Sequence, residues 1–294
     1  MPTQGQATVG QWFQGARPRT LGAAIAPVVV GTAAATFGES VLVWRCVGAL
    51  VVSMSLQVGV NFANDYSDGV RGTDANRRGP LRLTASGLAK PDAVKRAAQL
   101  SFAVGGVVGL WLSLVADWRL LFLGAACIAA AALYTGGPKP YGYLGLGELM
   151  VLLCFGFAAT AGSAYVQTRH VNGTVWVACL VVGLPAVAIL LANNVRDIPT
   201  DIVAGKRTLA VRIGDRRARY LYVASIVGSL LGVVVIAVRY PMAWVAFVGV
   251  MFVSKPVKLM LTAHDPPSLV AALVGTAAFQ LVSSVFLAAA LWVS

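Results

Sequence analysis

Histidine is nearly absent from this chain, with 2 in 294 residues, and its 4 cysteines stand singly in apolar segments without metal-ligand spacing. That argues against a cysteine–histidine metal centre or a disulfide framework, so Cys46, Cys127, Cys154 and Cys179 read as small core residues. His170 and His264 fall in loops with no triad or metal partner in view. No phosphate-cradling P-loop pattern occurs, and Gly136-Gly137-Pro138 reads as a turn. The stretch from Met1 to Gly15 is polar and lacks the short hydrophobic region of a cleaved signal, so none is expected. Charge is scarce as well: 12% of residues are charged and 58% hydrophobic, with a mean hydropathy of +0.76. This composition excludes an ordinary soluble domain and implies an integral membrane protein.

What the chain does have is long apolar runs. A bilayer core of roughly 30 Å takes about 20 apolar residues per helix. Nine segments qualify within a few residues at each end: Leu21 to Phe37, Val41 to Phe62, Ala93 to Val115, Leu120 to Tyr134, Leu144 to Val166, Val175 to Val195, Tyr220 to Val238, Met242 to Leu261 and Leu269 to Val293. The fourth is short. An all-α, multi-pass fold is therefore expected, with the termini on opposite sides of a cell membrane. Arg17 and Arg19 precede the first span, and Arg71, Arg77, Arg78, Arg82 and Lys90 follow the second. Lys206, Arg207, Arg212, Arg216, Arg217 and Arg219 follow the sixth, and Lys139, Lys255 and Lys258 share that face. The opposite face has little beyond Arg119, Arg169 and Arg239, which puts the N-terminus in the cytoplasm. A net charge of +12 placed beside membrane spans fits anionic lipid and a phosphorylated substrate better than nucleic acid.

Acids at membrane depth are expensive and point to function. Asn61, Asn64, Asp65 and Asp68 end the second run at i, i+3, i+4, i+7 spacing, which aligns them on one helical face, and Asp74 lies farther along. Asn193, Asn194, Asp197 and Asp201 end the sixth run. Pro199 limits helical continuity there, so Asp197 and Asp201 are expected to straddle a break rather than share one helix. Each cluster runs into a long basic loop, about Ser67 to Pro91 and Pro199 to Arg219, which hints at a weak internal duplication. Facing carboxylates in a low-dielectric cavity repel, and divalent cations relieve that repulsion. Hard oxygen donors suit Mg²⁺, which binds through one or two carboxylates together with substrate phosphates. The pattern reads as a magnesium–diphosphate site.

These motifs resemble those of the UbiA superfamily of intramembrane prenyltransferases, which carry Asn-Asp-x-x-Asp after the second helix and Asp-x-x-x-Asp after the sixth. Asn64, Asp65 and Asp68 match the first, and Asp197 and Asp201 the second. The resemblance covers essentially the whole chain, 1–294, as a single domain. Arg17-Pro18-Arg19-Thr20-Leu21, the spacing from Asp68 through Gly72 to Asp74, Gly79-Pro80-Leu81-Arg82 and Tyr134-Thr135-Gly136-Gly137-Pro138-Lys139-Pro140 are similar to the branch acting on 1,4-dihydroxy-2-naphthoate in menaquinone synthesis. So are Gly142, Leu144, Gly145, Gly147 and Glu148. The resemblance implies nine helices around a cavity open to the cytoplasm, with polyprenyl diphosphate held through Mg²⁺ on Asn64, Asp65, Asp68, Asp74, Asp197 and Asp201. It also implies diphosphate contacts from Arg78, Arg82, Lys139 and Lys206, with Asn61, Tyr134, Glu148, Asn193 and Asn194 facing substrate. For Glu148 a plain helix-end role stands beside the substrate-facing one. A UbiA-type enzyme for another acceptor, such as 4-hydroxybenzoate, is the nearest rival. A transporter is disfavoured because both acidic clusters fall on one side of the membrane.

Overall fold

The computed structural model describes residues 7–73 and 81–294, and among them there is no β-strand. The helices are α1 (Val9–Gly15), α2 (Gly22–Thr36), α3 (Val43–Val70), α4 (Pro91–Val115), α5 (Leu120–Leu133), α6 (Gly147–Thr168), α7 (Gly173–Val203), α8 (Leu209–Ile213), α9 (Asp215–Arg239), α10 (Pro241–Thr262) and α11 (Pro266–Trp292). Seven of these, α3, α4, α6, α7, α9, α10 and α11, are long and apolar enough to cross a membrane. The segments Val9–Thr20 and Gly22–Thr36, bent by 49°, make an eighth if taken as one span. At 14 residues α5 reaches only about 21 Å, which agrees with the short fourth segment expected from sequence.

Both acid-bearing helices outrun the apolar stretches that announced them. α3 continues to Val70 and α7 to Val203, so both polar clusters are helical, as the spacing of Asn61, Asn64, Asp65 and Asp68 predicts for the first. The expected break at Pro199 does not occur: α7 passes through both Pro185 and Pro199, and Asp197 and Asp201 share one helix a turn apart. Proline removes one i→i−4 hydrogen bond, and near a helix end that is a small loss. The Thr200 hydroxyl also donates to the Asp197 carbonyl at 2.9 Å and helps hold the turn.

α7 is the central element, with 72% of its most apolar window buried against 22% for α3 and for α4. It packs on α9, α11 and α6, while α2 lies against α6 and α11, and α3 against α4. Small residues let the helices approach closely. A Cβ on Gly31 of α2 would stand 2.2 Å from the Thr160 carbonyl oxygen of α6. Where α6 runs as a π-helix, Leu152–Ala158, its Gly156 abuts Gly183 of α7, and a Cβ on Gly183 would meet the Gly156 Cα at 2.7 Å. Val107, Leu114, Phe122, Val238 and Met251 are exposed, as lipid-facing side chains would be.

Candidate active site

On α3, Asn61, Asn64, Asp65 and Asp68 are all buried, but they do not act alike. Asn61, Asn64 and Asp68 line a polar cavity of about 190 Å³. The Asp68 carboxylate accepts from the Tyr143 hydroxyl at 2.6 Å and pairs with Lys206 Nζ at 3.0 Å and Arg82 Nη2 at 3.7 Å. Asn61 donates to the Ala16 carbonyl at 2.9 Å, tying α1 to the site. Asn64 Oδ1 accepts from the Thr135 hydroxyl at 2.8 Å. Asp65 does not line the cavity; its Oδ2 and Oδ1 accept from the backbone N–H groups of Leu83 at 2.7 Å and Thr84 at 2.9 Å.

From α7 the cavity receives Asn193, Asn194, Asp197, Thr200 and Asp201, and from the following loop Lys206 and Thr208. Buried Arg196 grips both oxygens of Asp197 at 2.7 Å and donates to Asn193 Oδ1 at 2.8 Å. Asp201 Oδ2 accepts from the Thr208 hydroxyl at 3.4 Å, and its carbonyl accepts from the Lys206 N–H at 2.8 Å. This bond turns the chain after α7 so that Lys206 faces back towards Asp68. Glu148, at the start of α6, lies behind the cavity wall and accepts from Asn194 Nδ2 at 2.9 Å. With the Asn194 amide nitrogen engaged there, its oxygen is left to serve as an acceptor.

Sequence reasoning missed Tyr143, Arg196 and Arg17. Tyr143 and Arg17 line the cavity, and Lys206 and Arg71 lie over the Tyr143 ring at 4.7 and 5.5 Å. Burial first, then the neighbouring Asp68 charge, raises the Tyr143 phenol above its ordinary value, so it remains a protonated donor at neutral pH. A tyrosine in a short turn carries no sequence signal. Arg196 directly precedes Asp197 in the chain, and two adjacent opposite charges carry no site signal of their own. Lys139, expected at the diphosphate, is instead exposed and outside the cavity lining, because the turn through Gly137, at φ +77°, carries it to the surface. Asp74 and Arg78 lie outside the described residues.

An apolar cavity of about 380 Å³ adjoins the polar one. Val60, Tyr134, Val151 and Phe155 line both. The larger space runs among α3, α4, α5 and α6, past Gly105, Gly106, Gly109, Ile128 and Gly162. Its walls suit a hydrocarbon chain, and the polar end suits the anion to which such a chain is attached.

The polar end also fits a hard divalent cation. Asn64, Asp68, Asn193, Asn194, Asp197 and Asp201 bring oxygen donors from two helices to one cavity. Among the described residues no three His, Cys, Asp or Glu side chains converge into a metal-holding group. Mg²⁺ binds through one or two carboxylates together with substrate phosphates, and carboxylate and amide oxygens of this kind suit it.

Residues 24–271 match the UbiA prenyltransferase family, and the chain belongs to it. The chain is 49% identical to "1,4-dihydroxy-2-naphthoate octaprenyltransferase" of Mycobacterium tuberculosis, over 79% of this chain and 80% of that one. It is 38% identical to the protein of the same name from Escherichia coli, over 75% and 74% of the two chains. Among solved structures, a UbiA homolog from Archaeoglobus fulgidus bound to DMAPP and Mg²⁺ superposes with a TM-score of 0.62 at 14% identity, covering 96% of this chain and 98% of that one. The apo UbiA homolog from Aeropyrum pernix K1 gives 0.64 at 14% identity, over 92% and 96%. At such identities the structural likeness is one of fold.

Proposed function

We propose that this chain transfers a polyprenyl group from polyprenyl diphosphate to 1,4-dihydroxy-2-naphthoate, releasing diphosphate and CO₂ and giving demethylmenaquinol, the two-electron-reduced form of demethylmenaquinone. The carrying observation is the pair of adjoining cavities, one carboxylate- and lysine-lined and one apolar, meeting at Val60, Tyr134, Val151 and Phe155. The choice of acceptor follows the relatives at up to 49% identity. Residues 1–294 form one domain in this reading. It has nine spans, counting α5 and the bent α1–α2 pair with the other seven, and the polar cavity opens to the cytoplasm. The N-terminus is then cytoplasmic and the C-terminus on the opposite side.

In this reading Asn64, Asp68, Asp197 and Asp201 hold Mg²⁺. When bound, the ion neutralises negative charge that gathers on the leaving diphosphate. Without substrate, Lys206 and Arg82 neutralise Asp68, and Arg196 neutralises Asp197. On binding, Lys206 and Arg82 turn from Asp68 to the phosphate oxygens and hold the diphosphate alike before and during C–O cleavage, a uniform binding contribution. The apolar cavity receives the first isoprene units and keeps water from the allylic carbon. Tyr134 and Phe155, at the junction, offer aromatic faces to the positive charge developing on that carbon. The electron pair of the C–O bond leaves with the diphosphate, and the ring carbon that bears the carboxylate forms the new C–C bond. The bond to the carboxylate then breaks, its electrons restore the aromatic ring, and CO₂ departs. Asn193 and Asn194 face the acceptor, with Glu148 orienting Asn194.

The test is purified protein in detergent with Mg²⁺ and a polyprenyl diphosphate, offered the naphthoate and 4-hydroxybenzoate in competition. Consumption of the naphthoate with one CO₂ per diphosphate is expected. Preferential use of 4-hydroxybenzoate would replace the acceptor, and no turnover of prenyl diphosphate would overturn the reading. Lys206→Ala should raise KM for the prenyl diphosphate about tenfold or more, with KM for the naphthoate little changed.

A further inference from the structure

Asp65 sits between Asn64 and Asp68 in the motif, yet its carboxylate faces away from the cavity they line. It is 1% exposed, and its two oxygens accept from consecutive backbone N–H groups, Leu83 at 2.7 Å and Thr84 at 2.9 Å. Residues 82–89 form a closed turn: the N–H of Ser86 donates to the Arg82 carbonyl, that of Gly87 to Thr84 and that of Ala89 to Leu83, each at 3.1 Å. The Ser86 hydroxyl bonds the Arg82 carbonyl too. A turn that closes on its own carbonyls leaves its leading N–H groups unsatisfied, as at a helix N-terminus. Asp65 satisfies two of them, and charge-assisted bonds of this kind are among the stronger ones. Two features hold the same turn against α3. Leu83 is fully buried in a cluster with Phe62, Ala89, Val94 and Ala98. Gly69 lets the turn come close, since a Cβ there would meet the Thr84 Cγ2 at 2.5 Å.

The residue leading this turn is Arg82, whose guanidinium reaches Asp68 at 3.7 Å. Asp65 and Asp68 therefore lie one helical turn apart, the first fixing the backbone that the second's partner stands on. We infer that Asp65 is a positioning residue and not a metal ligand: it tethers the 82–89 turn so that Arg82 faces the diphosphate. The inference rests on the polar cavity being the prenyl diphosphate site, and it reassigns the motif's first carboxylate from the metal to the loop.

The assignment separates from a ligand role in three measurements. Asp65→Asn keeps one acceptor but turns an NH₂ towards a backbone N–H. It should raise KM for the prenyl diphosphate about tenfold, leave kcat within about threefold, and leave the half-saturating Mg²⁺ concentration unchanged. Combined with Arg82→Ala it should cost no more than Arg82→Ala alone, within about twofold, because both remove the same contact. In the unliganded protein in detergent, tryptic cleavage after Arg82, followed by mass spectrometry, should quicken at least fivefold. Asp65→Glu retains the charge but displaces the carboxylate by a methylene, and the same KM-only loss is expected should the asparagine variant fold poorly. A raised Mg²⁺ requirement with a fall in kcat would make Asp65 a ligand and overturn the proposal. Unchanged cleavage after Arg82 would overturn it as well. The cleavage test needs no turnover, so a failure of the functional reading is told apart from a failure of the tether.

Discussion

Removing the charge of Asp68 has two consequences of opposite kind, because the carboxylate meets Lys206, Arg82 and the Tyr143 hydroxyl in the substrate-free protein. Asp68→Asn takes a charged ligand from the proposed metal site, and a loss of about a hundredfold or more in kcat/KM for the prenyl donor is expected, with a higher Mg²⁺ requirement. It also leaves Lys206 and Arg82, both largely buried, facing each other without that carboxylate. Breaking a buried pair on one side costs about 3 kcal/mol, so Tm in detergent should fall. Added diphosphate should restore much of it, since phosphate oxygens can take the place of the lost carboxylate. Activity against Mg²⁺ concentration and thermal melts with and without diphosphate check both halves; near-normal turnover with unchanged Mg²⁺ dependence would refute Asp68 as a ligand. Composition alone suggests the opposite stability effect, because clustered acids repel and neutralising one should help. The spacing of Asn61, Asn64 and Asp68 identified one wall of the cavity in advance. It did not reveal the basic partners, because Lys206 and Arg82 are brought to Asp68 only by tertiary folding, from separate loops. For the same reason helical spacing grouped Asp65 with its neighbours, although a turn some twenty residues downstream claims it.

Helices were the most legible level, because twenty-residue apolar runs admit almost no other structure in a bilayer. Their polar ends were less so. The apolar signal stops at Phe62 and Val195, whereas α3 and α7 continue to Val70 and Val203 because the protein itself supplies partners for the buried polar side chains there. Local rules predicted a break at Pro199, but packing and the Thr200–Asp197 bond keep α7 continuous. Pro199→Ala should therefore leave kcat within about twofold of the parent and raise Tm slightly, since a helix interior favours alanine over proline. A marked loss of activity would mean that the proline shapes the Asp197–Asp201 face after all. Gly31→Val should act in the other direction. Its Cβ would fall 2.2 Å from the Thr160 carbonyl, where backbone rather than a flexible side chain must give way. Overpacking of this kind costs about 1–3 kcal/mol, so Tm should drop while KM for both substrates in the surviving fraction stays close to normal.

Across the whole molecule, the basic residues gather in the loops that follow the two acid-bearing helices, and the proposed site and the proposed orientation both rest on that one asymmetry. The basic residues proposed to meet the diphosphate, Arg82 and Lys206, belong to the same loops whose lysines and arginines, by the positive-inside rule, would be retained in the cytoplasm. The polar cavity is built from the C-terminal ends of α3 and α7 and their following loops, while the apolar cavity extends among α3 to α6. If the positive-inside reading holds, Lys139 and His170, both exposed, lie on opposite sides of the membrane, at the two ends of the segment that contains α6. Neither lines a cavity, so a cysteine at either position should leave turnover intact. In a background with Cys46, Cys127, Cys154 and Cys179 replaced by alanine, Lys139→Cys should react with an impermeant maleimide only in inside-out vesicles. His170→Cys should react only in right-side-out ones. Reversal of both patterns would put the diphosphate site on the outer face, where a cytoplasmic prenyl donor could not reach it. Labelling of both positions from one side would remove α6 from the count of spans and with it the nine-helix topology.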